Sequence, residues 1–98
     1  MRDYEMTVVL RIDLDQKMRE ELINRVVGMI PLPEGDDVPK PVVNQWGRRK
    51  LAYPINKEAE GFYLLIETQM EADGISEMER NMSYIEEILR HLVVRKEG

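Results

Sequence analysis

The run Trp46-Gly47-Arg48-Arg49-Lys50-Leu51-Ala52-Tyr53-Pro54-Ile55-Asn56-Lys57, followed after Glu58-Ala59-Glu60-Gly61 by Phe62-Tyr63-Leu64-Leu65-Ile66-Glu67-Thr68, decides how the rest of the chain is read. Val42 to Trp46 and Arg49 to Ile55 predict one strand with a bend or bulge at Gly47, because a glycine inside a strand relieves local geometry. Asn56 to Gly61 supplies polar and flexible residues for a turn. Phe62 to Thr68, rich in aromatic and β-branched residues, predicts the returning strand. Side chains alternate along a strand, so Arg48 and Lys50 share one side and Arg49 takes the other.

Upstream of this hairpin, Tyr4, Met6, Val8, Leu10 and Ile12 alternate with polar residues and predict a half-buried strand. Asp13 or Asp15 can cap the helix that follows, whose apolar positions Met18, Leu22, Ile23, Val26, Val27 and Ile30 recur at steps of three and four. That helix is expected to end near Gly28 to Ile30. Four prolines between Pro31 and Pro41 then predict an exposed loop, since neither a helix nor a central strand persists there. Downstream, Ile75, Met78, Met82 and Ile85 mark a shorter helix with Glu77, Glu79 and Arg80 on its polar face, and Ile88 to Arg95 predicts a last strand. The order strand, helix, strand, strand, helix, strand is the split βαβ arrangement. Right-handed crossovers place both helices on one face of a four-stranded antiparallel sheet and leave the other face open. An open face with two free edges is expected to serve a partner.

Residues 1–98 are expected to form a single domain, because so small a core seldom divides. No apolar run approaches the roughly 20 residues of a membrane span, and the strand-like N-terminus lacks the pattern of a secretory signal, so a cytoplasmic location is expected. The absence of cysteine excludes disulfides, thiolate metal sites and cysteine nucleophiles, and one histidine leaves little material for a zinc site or a catalytic triad. The net charge of −5 is unevenly spread. Residues 44–57 hold Arg48, Arg49, Lys50 and Lys57 without an acid, and residues 90–96 hold Arg90, Arg95 and Lys96 without an acid. An acidic body with two clean basic segments describes an oriented molecule, with one face attracted to polyanions.

The run from Trp46 to Lys57 resembles the signature of the bacterial small-subunit ribosomal protein S-six family. Tyr4-Glu5 before an apolar strand, Leu14-Asp15 at the start of the first helix, Gly61-Phe62-Tyr63, and Arg90-His91-Leu92-Val93-Val94-Arg95 resemble the same family in the same order. The resemblance covers nearly the whole chain. It implies an α+β, ferredoxin-like βαββαβ sandwich that acts as a structural, non-catalytic constituent of the bacterial small ribosomal subunit. It also implies binding to the central domain of small-subunit ribosomal RNA together with ribosomal protein S-eighteen. A basic partner would offset the acidic body and complete an RNA-binding surface. By the same resemblance, the loop at 31–41 is expected to be longer than the usual link of the family, and the acidic tail common there is expected to be lacking after Glu97.

On this resemblance and on charge, Arg2, Arg48, Arg49, Lys50, Lys57, Arg90 and Arg95 are the candidate RNA contacts. Guanidinium groups suit bidentate contact with phosphate, whereas Lys50 and Lys57 act as mobile point charges. Trp46, Tyr53 and Tyr63 are the candidate protein-partner residues, because aromatic rings supply large contact area at low entropic cost. For Trp46 and Tyr53 core packing is an equal reading, and for Phe62 it is the stronger one. Glu60 to Glu67 faintly resembles an RNA-recognition-motif signature, but Glu60 replaces its leading basic residue, and Leu64 and Glu67 stand where stacking aromatics are needed. His91 reads as a packed or surface histidine, and the seven methionines as core filler. The six glycines are scattered, with no phosphate-cradling run, so no catalytic, cofactor, metal or small-molecule site is expected. The competing reading is a ferredoxin-like dimeric module for ligand sensing or protein interaction without RNA binding; the ribosomal reading expects a monomer in isolation.

Overall fold

The computed structural model describes residues 2–96 and, for Arg2, the backbone only. Strand β1 (Arg2–Leu10) leads through helix α1 (Gln16–Gly28) to strand β2 (Val42–Ile55). Strand β3 (Glu58–Met70), a 3-10 turn at Ala72–Gly74, helix α2 (Ile75–Ser83) and strand β4 (Ile88–Arg95) follow. The strands form one antiparallel sheet in the order β2-β3-β1-β4. This is the expected ferredoxin-like βαββαβ arrangement.

Register explains which residues form the core. Tyr4, Met6, Val8 and Leu10 stand opposite Thr68, Ile66, Leu64 and Phe62 of β3, so one face of β1 is continuous with one face of β3. Leu22, Ile23 and Val26 of α1 and Met78 and Met82 of α2 close over that face. Met6, Val8, Leu64, Ile66, Met70 and Met82 have no exposed surface. Each such side chain contributes about 1.5–3 kcal/mol by leaving water.

Local chemistry sets the boundaries. Asp15, not Asp13, caps α1, its carboxylate accepting from the Met18 N–H at 2.8 Å. Asp13 is held instead by Arg11, and the chain turns at Ile12 and Asp13, so β1 stops at Leu10 rather than at the expected Ile12. Met18 is 49% exposed, on the rim of a shallow groove with Leu14, Glu21, Leu22, Arg25 and Glu87, and does not join the core as its spacing suggested. The Pro31–Pro41 segment has no regular structure but is not free. Pro33 is buried, and the Pro31 carbonyl accepts from the Glu71 N–H at 2.8 Å.

The hairpin differs from expectation at its tip. Its turn is Asn56 and Lys57 alone, at φ +50° and +68°, the left-handed values that two-residue primed turns require. Asparagine adopts this region readily, so two residues suffice and β3 begins at Glu58 instead of Phe62. Gly61 is therefore a strand residue. An added Cβ there would penetrate Val9 Cγ1 and lie 3.4 Å from the Leu10 carbonyl oxygen, and Val9 is itself only 2% exposed.

Gly61→Ala is accordingly expected to destabilise the fold by about 1–3 kcal/mol, as overpacking does, seen as a lower denaturant midpoint at unchanged slope. In a Val9→Ala background, which has its own cost, Gly61→Ala is expected to cost less if the clash is its cause; an unchanged midpoint for the single variant would contradict this packing.

Candidate nucleic-acid interface

The face of the sheet away from the helices carries the candidate residues unevenly, because β2 changes phase in its middle. Gln45 stands opposite Leu64 but Gly47 opposite Tyr63, so Trp46 is an extra residue accommodated by Gly47 at φ +85°. Before this bulge Val42 and Asn44 lie on the open face, opposite Glu67 and Leu65; after it Gly47 and Arg49 do, opposite Tyr63 and Gly61. Arg48 and Lys50 pair with Phe62 and Glu60 and belong to the helix side. The bulge at Gly47 and the two-sided division of the arginines thus agree with the sequence reading.

Arg49 and Arg90 are the candidate RNA contacts that the structure brings to the open face. Each lies over an exposed ring: the Arg49 guanidinium is 5.5 Å from the centre of Trp46 and that of Arg90 is 5.7 Å from the centre of Tyr53. Trp46 is 50% and Tyr53 57% exposed, so neither is a core residue. Tyr63, half-buried, lies in the row that runs from Arg90 through Val9 and Tyr63 to Gly47. Phe62 faces the other way, packs against the core, and carries the Arg19 guanidinium 4.2 Å above its ring.

The remaining basic residues divide into three groups. On the helix side, Arg48 donates from Nε and Nη2 to one oxygen of Glu60 at 2.9 and 2.6 Å, beside Lys50. Lys57 stands at the hairpin tip. Arg95 pairs with Tyr4 at the far end of the sheet, near the start of β1 and the backbone of Arg2; the Arg2 side chain lies outside the described residues, as does the tail beyond Lys96. At a rise of about 3.3 Å per residue, Arg90 and Arg95 are some 17 Å apart. The candidates therefore do not form one patch.

That far end of the open face carries the acids Glu5 and Glu67 with Lys96 between them, and Lys40 lines the same groove. Lys96 Nζ lies 3.0 Å from Glu67 Oε2 and 3.6 Å from Glu5 Oε1. The hydrogen bond to Glu67 is the main cause of its raised pKa, overcoming a smaller opposing desolvation. Sequence reasoning missed three apolar contributors here, Val42, Leu92 and Val94, exposed by 55%, 58% and 47%. The alternation Arg90, Leu92, Val94 in β4 was the available signal. His91 pairs with Val8, is half-buried and faces the helix side. Among the described residues no cluster of acids and histidine is suited to a metal, and no helix is long and apolar enough to cross a membrane.

The family model for Ribosomal protein S6 matches residues 3–95. The chain belongs to the ribosomal protein S6 family. Relatives of this S6 chain include the small ribosomal subunit protein bS6 of Alkaliphilus metalliredigens, 36% identical over 97% of each chain. That of Clostridioides difficile is 37% identical over 96% of this chain and 98% of its own. The crystal structure of the 30S ribosomal protein S6 of Thermotoga maritima superposes with a TM-score of 0.80 at 28% identity, over 97% of this chain and 87% of the other.

The Lys96 contacts carry a pH signature. A raised folded pKa adds stability that is fully present below the ordinary lysine value of 10.5 and is lost as pH rises through the folded value. The Tm difference between the wild type and Lys96→Met is thus expected to close in that alkaline window; a difference independent of pH there would contradict the ion-pair assignment.

Proposed function

We propose that this S6-family protein, a constituent of the small ribosomal subunit in the bacterial cytoplasm, binds the central domain of small-subunit ribosomal RNA as a pair with ribosomal protein S-eighteen. It does so as one structural, non-catalytic unit of residues 1–98, without a cofactor. The observation that carries the reading is the run from Trp46 to Lys57, which resembles the family signature and places Arg48 and Arg49 on opposite sides of an edge strand. Arg49 and Arg90, held over Trp46 and Tyr53, present guanidinium groups to phosphate. Arg48, Lys50 and Lys57 extend the positive margin along the hairpin, and Arg2 and Arg95 form a second contact region at the other end of the sheet.

The protein partner takes the apolar strip of the open face, with Trp46, Tyr53 and Tyr63 as anchors beside Leu92 and Val94. Val42, Trp46, Tyr53, Leu92 and Val94 on this face are about half exposed or more, an unusual burden for a lone monomer. A basic partner gains further from the acids Glu5 and Glu67 at the end of that strip. The same exposed strip is what favours the alternative of a self-pairing module. A tight dimer on size-exclusion chromatography without RNA or partner supports that alternative, and a monomer supports the ribosomal reading.

Co-sedimentation with small ribosomal subunits tests the assignment without presuming a site. With S-eighteen present, replacing Arg48 and Arg49 by alanine is expected to weaken binding to central-domain RNA. The slope of log K against log salt should fall by about one for each phosphate that is no longer neutralised. An unchanged slope removes both residues from the phosphate-binding set.

A further inference from the structure

Arg48 is the one candidate RNA contact among the described residues that already holds a carboxylate. Glu60 lies 12 residues further on, two steps along β3 from the residue that pairs with Arg48 and directly opposite Lys50. Both Nε and Nη2 of the guanidinium converge on a single oxygen, Oε2. The pair is on the surface, with 64% of the arginine side chain and 31% of the glutamate side chain exposed. It is open enough for an anion to approach from solvent.

A carboxylate at this position has an electrostatic consequence. A phosphate reaching Arg48 must displace Glu60 or share the guanidinium with it, and once a polyanion is bound the freed carboxylate is repelled by it. Arg49, with its guanidinium over Trp46, has no such competitor among the described residues; its partner is an aromatic face, which leaves the edge N–H groups available. Two adjacent arginines of the same run are therefore differently available.

We propose that Glu60 is a positioning residue that withholds Arg48 in the free protein and sets the affinity for RNA through it. Arg48 then changes partner from carboxylate to phosphate on binding, whereas Arg49 is ready beforehand. This rests on the RNA-binding reading above. It adds selectivity for a ligand dense enough in phosphate to outcompete a fixed carboxylate, and it penalises isolated anions.

The test is a double-mutant cycle on the full chain with S-eighteen, measuring affinity for central-domain ribosomal RNA across a salt series for wild type, Glu60→Gln, Arg48→Ala and the double variant. Glu60→Gln is expected to tighten binding about threefold to fivefold, the upper range for releasing a surface ion pair. The gain should be clearly smaller when Arg48 is already alanine, because only the direct repulsion between Glu60 and the polyanion is then relieved. Glu77→Gln on α2 removes the same charge far from the hairpin and serves as the control for net charge. An equal gain from Glu60→Gln with and without Arg48, or a gain matched by Glu77→Gln, overturns the proposal while leaving RNA binding intact. If the wild-type pair fails to bind this RNA at all, the functional reading falls and the proposal with it. Thermal unfolding of each variant shows whether any change comes from impaired folding instead.

Discussion

The phase of β2 against β3 is the constraint on which the rest of the surface depends. A strand has a period of two, so one residue added to one strand of a pair turns every later side chain to the opposite face. The bulge at Trp46 and Gly47 does this in the middle of the basic run. It ejects Trp46 from the ladder, sends Arg49 to the open face, and sends Arg48 and Lys50 to the helix side. The left-handed φ of Gly47 makes this possible, a conformation that side chains with a Cβ resist. Without the bulge, Arg48 and Lys50 would share the open face with Arg90, and Arg49 would take the contact with Glu60.

A second consequence is polarity along the open face. The hairpin half presents Arg49 and Arg90 over aromatic rings, and the opposite half presents Glu5 and Glu67 paired with Lys96, with Lys40 in the same groove. Between them lie half-exposed apolar side chains of three strands. A ligand on this face meets cations over aromatic rings, then apolar surface, then ion-paired acids, an asymmetry that favours one orientation. The acidic composition of the chain and its basic signature are in this sense two parts of one arrangement.

Much of this was legible in the sequence because it follows from period and from glycine. The alternation of Tyr4 to Leu10 located the central strand, and the steps from Leu22 to Val26 located the covering face of α1. Gly47 in the middle of an extended run announced the bulge, and alternation alone separated Arg49 from its neighbours. What was not legible depends on pairing across distance or on tolerated strain. Lys57 at a left-handed φ carries no compositional signal, so the turn was drawn too long and Glu60 was placed in it. The ion pair between Arg48 and Glu60 requires the register of two strands, as does the separation of Arg90 from Arg95 along β4. Met18 fell on the right helical spacing but lies in the first turn, on the rim of the core.

The hairpin and the basic end of the open face, not the helices, are the surface proposed to meet ribosomal RNA. The most direct test of this is a hydroxyl-radical source tethered at Arg49→Cys in one sample and at Glu20→Cys, on the exposed side of α1, in another. Each is assembled with S-eighteen on small-subunit RNA. Strand scission in the central domain from position 49, and none from position 20, is the predicted result. Scission from position 20 alone, or equally from both, would contradict the account.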